Sequence, residues 1–139
     1  MRRILALDIG TARTGVAVSD PLGMFAQGLA VIKQTDKWLA ELSKIIDEHD
    51  NPLLLVGKPR LQDGSYSPMS EVIESAVAAI REKYPDIEIR FWDEWFTTVI
   101  AERTLIEADV SRAGRKKKVD KLAATLILQN YLDTERNRH

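Results

Sequence analysis

Asp8 follows the aliphatic run Ile4-Leu5-Ala6-Leu7 and is itself followed by Ile9. Aspartate is depleted in strands, and strand side chains alternate, so Ile4, Ala6 and Asp8 share one face of an expected central strand. An unpaired carboxylate buried there is costly. A basic partner, a hydrogen-bond cage or a cation would offset that cost. The plainer alternative is an aspartate that caps the Gly10 turn. A second anomaly is the run Trp92-Asp93-Glu94-Trp95. Its two acids point to opposite faces of a strand, so at most one can stand beside Asp8. Acids ahead of a helix also meet its dipole favourably, which would account for the pair without any site. Third is Asp120, at the expected start of the last helix, on the face shared with Ala123, Ala124 and Ile127. The alanines permit close approach to a sheet and would carry Asp120 inward; a first-turn acid can equally be there for the dipole alone.

Gathered at one point, Asp8, one acid of the 93–94 pair and Asp120 would repel one another. Two carboxylates ~4 Å apart cost roughly 4 kcal/mol at an effective dielectric of about 20. Divalent cations remove that penalty, and an all-oxygen ligand set suits Mg2+ or Mn2+. Two such ions about 4 Å apart stabilise both the attacking and the leaving oxygen of phosphodiester hydrolysis. A polyanionic substrate also needs cations. Lys58 and Arg60 lie in an expected polar loop, and Arg112, Arg115, Lys116, Lys117 and Lys118 form a basic segment that continues to Lys121. These are the candidate nucleic-acid contacts, although a solvated surface loop would read the same way. His49 at a helix end and His139 at the terminus suit no catalytic role.

The elements that must position these groups follow from periodicity. Arg3 to Ile9, Thr14 to Ser19 and Met24 to Lys33 read as strands separated by short Gly and Pro turns, which implies an antiparallel meander. From Asp36 to His49 the apolar residues Trp38, Leu39, Leu42, Ile45 and Ile46 mark one helix face. Leu53 to Val56 is a continuous apolar run, as in a strand covered on both faces. Ser67-Pro68 opens a helix with Met69, Val72, Ile73, Ala76, Val77 and Ile80 inward. Ile87 to Glu94 is a fifth strand, Thr97 or Thr98 caps a helix to about Ala108, and Val119 to Leu132 is the final helix. The βββαβαβα order predicts an α/β fold with a mixed five-stranded sheet flanked by helices. The length of 139 residues predicts one domain over 1–139 with a core that needs no staples.

Composition narrows the chemistry. There is no cysteine, hence no disulfide framework, thiolate zinc site or thiol nucleophile. The net charge of −1 gives the whole molecule no bias toward polyanions, so any such contact must be local. Asp8 cuts the N-terminal apolar run to four residues, too few for a secretory signal, and no stretch approaches a membrane span. A cytoplasmic protein without membrane contact is expected; the sequence leaves the oligomeric state open.

Three blocks are similar to the YqgF (RuvX) family of bacterial proteins: LALDIGTARTGVAVSD at 5–20, DEWFTT at 93–98 and VDKLAATLILQNYLD at 119–133. The VGKPRLQDGS loop at 56–65 is a fourth. The resemblance implies a ribonuclease H-like fold, and it puts the proposed catalytic, metal-binding acids on Asp8, Glu94 and Asp120. It implies a nuclease maturing the 5′ end of precursor 16S ribosomal RNA, with resolution of branched DNA (Holliday junctions) as an older reading. Two positions depart from the family pattern: Trp95 stands where arginine is usual, and Lys58 where an aliphatic residue is common. Two rival expectations remain. An ATP-binding enzyme of the actin and sugar-kinase class has a similar phosphate loop but uses two such domains. A non-catalytic nucleic-acid-binding module would have no need of all three acids.

Overall fold

The computed structural model describes residues 2–59, 63, 65, 67–94 and 112–137, without the side chains of Glu94 and of 112–120. Strands β1 (Ile4–Ile9), β2 (Arg13–Ser19) and β3 (Ala26–Lys33) are followed by helix α1 (Trp38–Glu48), β4 (Leu53–Pro59), α2 (Met69–Lys83), β5 (Ile89–Glu94) and a long helix α3 (Arg112–Asn137). The sheet order is β3-β2-β1-β4-β5. The first three strands form the expected antiparallel meander, and β4 and β5 join β1 in parallel. The expected helix from Thr97 to Ala108 lies outside the described residues.

Alternation along the strands creates two cores. Leu5, Leu7 and Ile9 of β1, with Leu54 and Val56 of β4, bury against Leu42 and Ile46 of α1 and Ile73, Val77 and Ile80 of α2. Ile4 and Ala6, with Ala17, Leu53 and Leu55, bury on the other face against Ala124, Ile127, Leu128 and Tyr131 of α3. The small Ala6, Ala17 and Ala124 let α3 lie close to the sheet. Each fully buried aliphatic side chain contributes about 1.5–3 kcal/mol. The continuous apolar run in β4 is thereby explained, since both of its faces are covered.

Turn chemistry fixes the ends of these elements. The Asp20 carboxylate accepts the backbone N–H groups of Met24 (2.7 Å) and Phe25 (2.8 Å). That closes the β2–β3 turn through Gly23, at φ 70°, and delays β3 to Ala26. Gln129 of α3 bonds the same turn twice, donating to Met24 O at 3.1 Å and accepting from Ala26 N at 2.9 Å. The N-cap of α2 is Pro68 and not the expected Ser67, whose Oγ nevertheless accepts the Met69 N–H at 3.1 Å.

Three further expectations need correction. Lys58 was expected in a loop but lies in β4, which runs on through Gly57, Lys58 and Pro59. The basic segment was expected ahead of the last helix, yet residues 112–118 are helical and form its first two turns. Lys and Arg are good helix formers, so a run of like charges does not prevent helix where a packed face continues it. Asp120 is consequently the ninth residue of α3. It lies too deep for the first-turn dipole to explain it.

Candidate active site

Asp8 occupies the end of the central strand β1 and is half-buried. Its register partner on β2 is Gly15. The parallel register that sets Leu7 beside Val56 places Asp8 beside Gly57 of β4, which in turn pairs with Trp92 of β5. The row across the sheet at this level therefore reads Gly15, Asp8, Gly57, Trp92. The positions directly opposite Asp8 on both neighbouring strands are thus glycines. Sequence reasoning passed over the two glycines, whose meaning appears only once the register is known.

The same register decides between the paired acids. Trp92 packs into the α3-side core with Ile4 and Ala6, so alternation gives position 94 the phase of Asp8. Asp93 pairs with Lys58 and takes the phase of Phe91, on the side of α1 and α2. Glu94, paired with Pro59 at the end of β5, is thus the position that shares a face with Asp8. Trp92 itself is a packing residue: its ring meets Tyr131 of α3 edge-on, centroids 5.3 Å apart.

Position 120 follows from the buried stripe of α3. Ala124, Ile127 and Tyr131 face the sheet, and helical periodicity places 120 one turn before Ala124 on that stripe. The helix axis passes over Ala26 at Gln129 and over Gly28 at Lys121 and Thr125. Gly28 pairs with Ala17, and Ala17 with Ala6. One further step in that direction is the level of Asp8. Backbone geometry thus brings positions 8, 94 and 120 to one face and one end of the sheet, with only the Asp8 side chain described.

The basic candidates divide. Lys58 projects to the opposite face from Asp8, where Nζ pairs with Glu74 Oε1 at 2.8 Å and lies 4.9 Å from the Phe91 ring centroid. The structure does not bring it to the acids. Arg60 lies outside the described residues. Arg112, Arg115, Lys116, Lys117 and Lys118 are carried by α3 in the turns ahead of position 120. His49 Nδ1 is engaged with Ile45 O at 2.7 Å, on the α1 side of the sheet.

The overall architecture matches two solved resolvases. Thermus thermophilus RuvC, in complex with Holliday junction substrate, superposes with a TM-score of 0.54 over 98% of this chain and 96% of that one, at 14% identity. The fowlpox virus resolvase in complex with Holliday junction DNA gives 0.53 over 96% and 98%, also at 14% identity. At such identities the likeness establishes the ribonuclease H-like fold alone. Among proteins of closer sequence, one from Clostridium beijerinckii is 47% identical over 133 residues, covering 94% of this chain and 96% of the relative. One from Clostridium botulinum is 46% identical over 134 residues, covering 95% and 97%. Both are provisionally named pre-16S rRNA nuclease. Fold and relatives together define a nuclease of the ribonuclease H-like class. The chain belongs to the RuvX family, whose model, described as Holliday junction resolvase, matches residues 2–134.

Proposed function

We propose that this chain is a metal-dependent nuclease that matures the 5′ end of precursor 16S ribosomal RNA in the cytoplasm, with Asp8, Glu94 and Asp120 as its catalytic acids. The observation that carries this reading is the shared phase of positions 8 and 94 on the face covered by α3, with position 120 on that helix's buried stripe. The RNA substrate is supported by the names of the relatives at 46–47% identity.

The donor chemistry fits a hard divalent cation. Asp8 is a half-buried carboxylate flanked by glycines, and the other two proposed donors are carboxylates. A bound Mg2+ or Mn2+ would supply charge neutralisation and Lewis acidity for phosphodiester hydrolysis. The chain's own contribution is rigidity. Asp8 rides on the central strand, between cores that bury Leu5 and Leu7 on one face and Ala6 on the other. Each acid thus belongs to a different packed element, and their separation is held by the fold rather than by flexible loops.

The decisive assay incubates a precursor 16S 5′ fragment and a four-way DNA junction separately with the protein in Mg2+ or Mn2+, beside Asp8→Asn. Cleavage of the RNA by wild type and not by the variant is expected. Cleavage of the junction alone would move the substrate to branched DNA, the reading that the family description favours. Equal cleavage by wild type and variant, or by neither, would remove the proposed role of Asp8.

A further inference from the structure

The acid end of the sheet is electrically lopsided. On the face covered by α3, β2 contributes Arg13, two residues from Gly15 and in the same phase. Arg13 pairs with Lys33 of β3. A bulge between Val16 and Ala17 shifts the β3 register, so that Val31 and Lys33 share the phase of Gly28 and of the α3-facing core. Gly28 in turn carries α3: a Cβ built there would lie 3.5 Å from Lys121 Cβ and 3.8 Å from its Cδ. The stem of Lys121 therefore lies across β3, and the residue is exposed, as is Lys33. Beyond Lys121 the axis of α3 continues toward the Lys33 end of β3, carrying the basic positions 112–118 on roughly two turns. The β5 side of the same face contributes position 94, while Asp93 and its register partner Lys58 take the opposite phase, on the side of α1 and α2.

We infer that Arg13, Lys33 and Lys121 form a phosphate-binding strip that leads the nucleic-acid backbone away from the acids across β2 and over the β3 edge. The inference rests on the nuclease reading and adds the path of the substrate. From β1 to β3 is two interstrand spacings, about 10 Å. That is the span of roughly three nucleotides at 3.4 Å each. Lysine and arginine neutralising a backbone contribute affinity that carries no sequence information and falls with salt. The strip therefore determines where the strand lies and leaves the choice of cut site to other contacts.

The test is equilibrium binding of a fluorescein-labelled 16S precursor 5′ fragment in EDTA, where no cleavage occurs, over a series of salt concentrations. The strip variant is Arg13→Gln, Lys33→Gln and Lys121→Gln together. A control of equal charge change, Lys44→Gln, Arg81→Gln and Lys83→Gln, alters exposed cations on α1 and α2. Three lost phosphate contacts lower the slope of log K against log salt by about 2, and affinity about a hundredfold near 0.1 M salt relative to the 1 M extrapolation, for the strip variant alone. Equal losses in both triples, or none in either, would overturn the strip. A wild type that does not bind the RNA would instead sink the RNA-substrate reading on which this path rests. Since the chain has no cysteine, Lys33→Cys bearing an azidophenacyl group gives a second readout that is insensitive to any loss of stability in the triple. It should crosslink the RNA where Lys83→Cys does not; equal crosslinking from both sites would refute the path.

Discussion

Asp8 and Lys58 are a single register step apart on neighbouring strands, yet they face opposite sides of the sheet. Asp8 stands beside Gly57 with α3 on its side; Lys58 follows Gly57 and turns to Glu74 and Phe91 on the side of α2. A cation near the site in sequence is thereby committed to packing.

That commitment makes a mutation separable. Lys58→Met should leave RNA affinity within about twofold while costing about 1 kcal/mol of stability. The loss comes from an ion pair whose lysine side chain is 16% exposed and from one cation–π contact. Urea unfolding and filter binding on the same preparation measure both. An affinity loss as large as that of Lys121→Gln would return Lys58 to the substrate path.

Metal linkage supplies a readout independent of cleavage. If Asp8 helps hold Mg2+ or Mn2+, saturating Mn2+ should raise the Tm of wild type, by the equivalent of about 2.7 kcal/mol at a concentration 100 times Kd. Asp8→Asn should show little shift. Without metal, the Tm values of the variant and of wild type should differ by less than they do in saturating Mn2+. Differential scanning calorimetry with EDTA and with Mn2+ gives both comparisons.

Two glycines should respond differently to alanine. A Cβ at Gly10 would stand 2.7 Å from the carbonyl oxygen of Arg13, the same oxygen that accepts the Gly10 N–H at 2.8 Å. Backbone cannot yield there without losing the turn, so Gly10→Ala should cost roughly 2 kcal/mol. At Gly28 the closest atom is Thr125 Oγ1 at 3.3 Å, a side-chain atom that can move, so Gly28→Ala should cost less than about 1 kcal/mol. Chemical denaturation of the two variants ranks them directly.

The β2–β3 turn carries a proton linkage. The Phe25 N–H above all, and then that of Met24, hold the Asp20 carboxyl below its ordinary range. A carboxyl with a lowered folded pKa stabilises the fold above its unfolded value near 4 and loses that contribution as pH falls through the lowered one. Asp20→Asn should therefore be less stable than wild type at neutral pH, with the gap closing below about pH 4. A gap that stays constant across that range, followed by thermal unfolding, would show that Asp20 acts without its charge.

Much of the fold was legible because its signals are local. The Leu53–Val56 run announced a strand covered on both sides, and Trp38, Leu42 and Ile46 announced α1. Asp8 stood out because an acid interrupted aliphatics. The Asp93–Glu94 alternation could be stated from sequence, but which acid shares the phase of Asp8 required the register of β4 against β5. Lys58 was misplaced for a related reason: with Pro59 and Gly64 after it, it reads as loop, whereas a strand end tolerates a proline. The length of α3 was underestimated because charge repulsion in residues 112–118 concealed its continuity with the packed turns from Ala123 onward. Arg13 and Lys33 lie 20 positions apart, and only a bulged antiparallel ladder makes them neighbours.

Because α3 is an uninterrupted rod of 26 residues, the seating of Gln129 at the hairpin and the backbone phase of position 120 belong to a single angular setting. One residue inserted between 120 and 124 would swing everything ahead of it through about 100° and advance it by about 1.5 Å, moving position 120 out of line with Ala124 while the hairpin clamp stayed in place. The spacing of acid and anchor along this helix is thus a heritable dimension of the enzyme, as constrained as the identity of either residue.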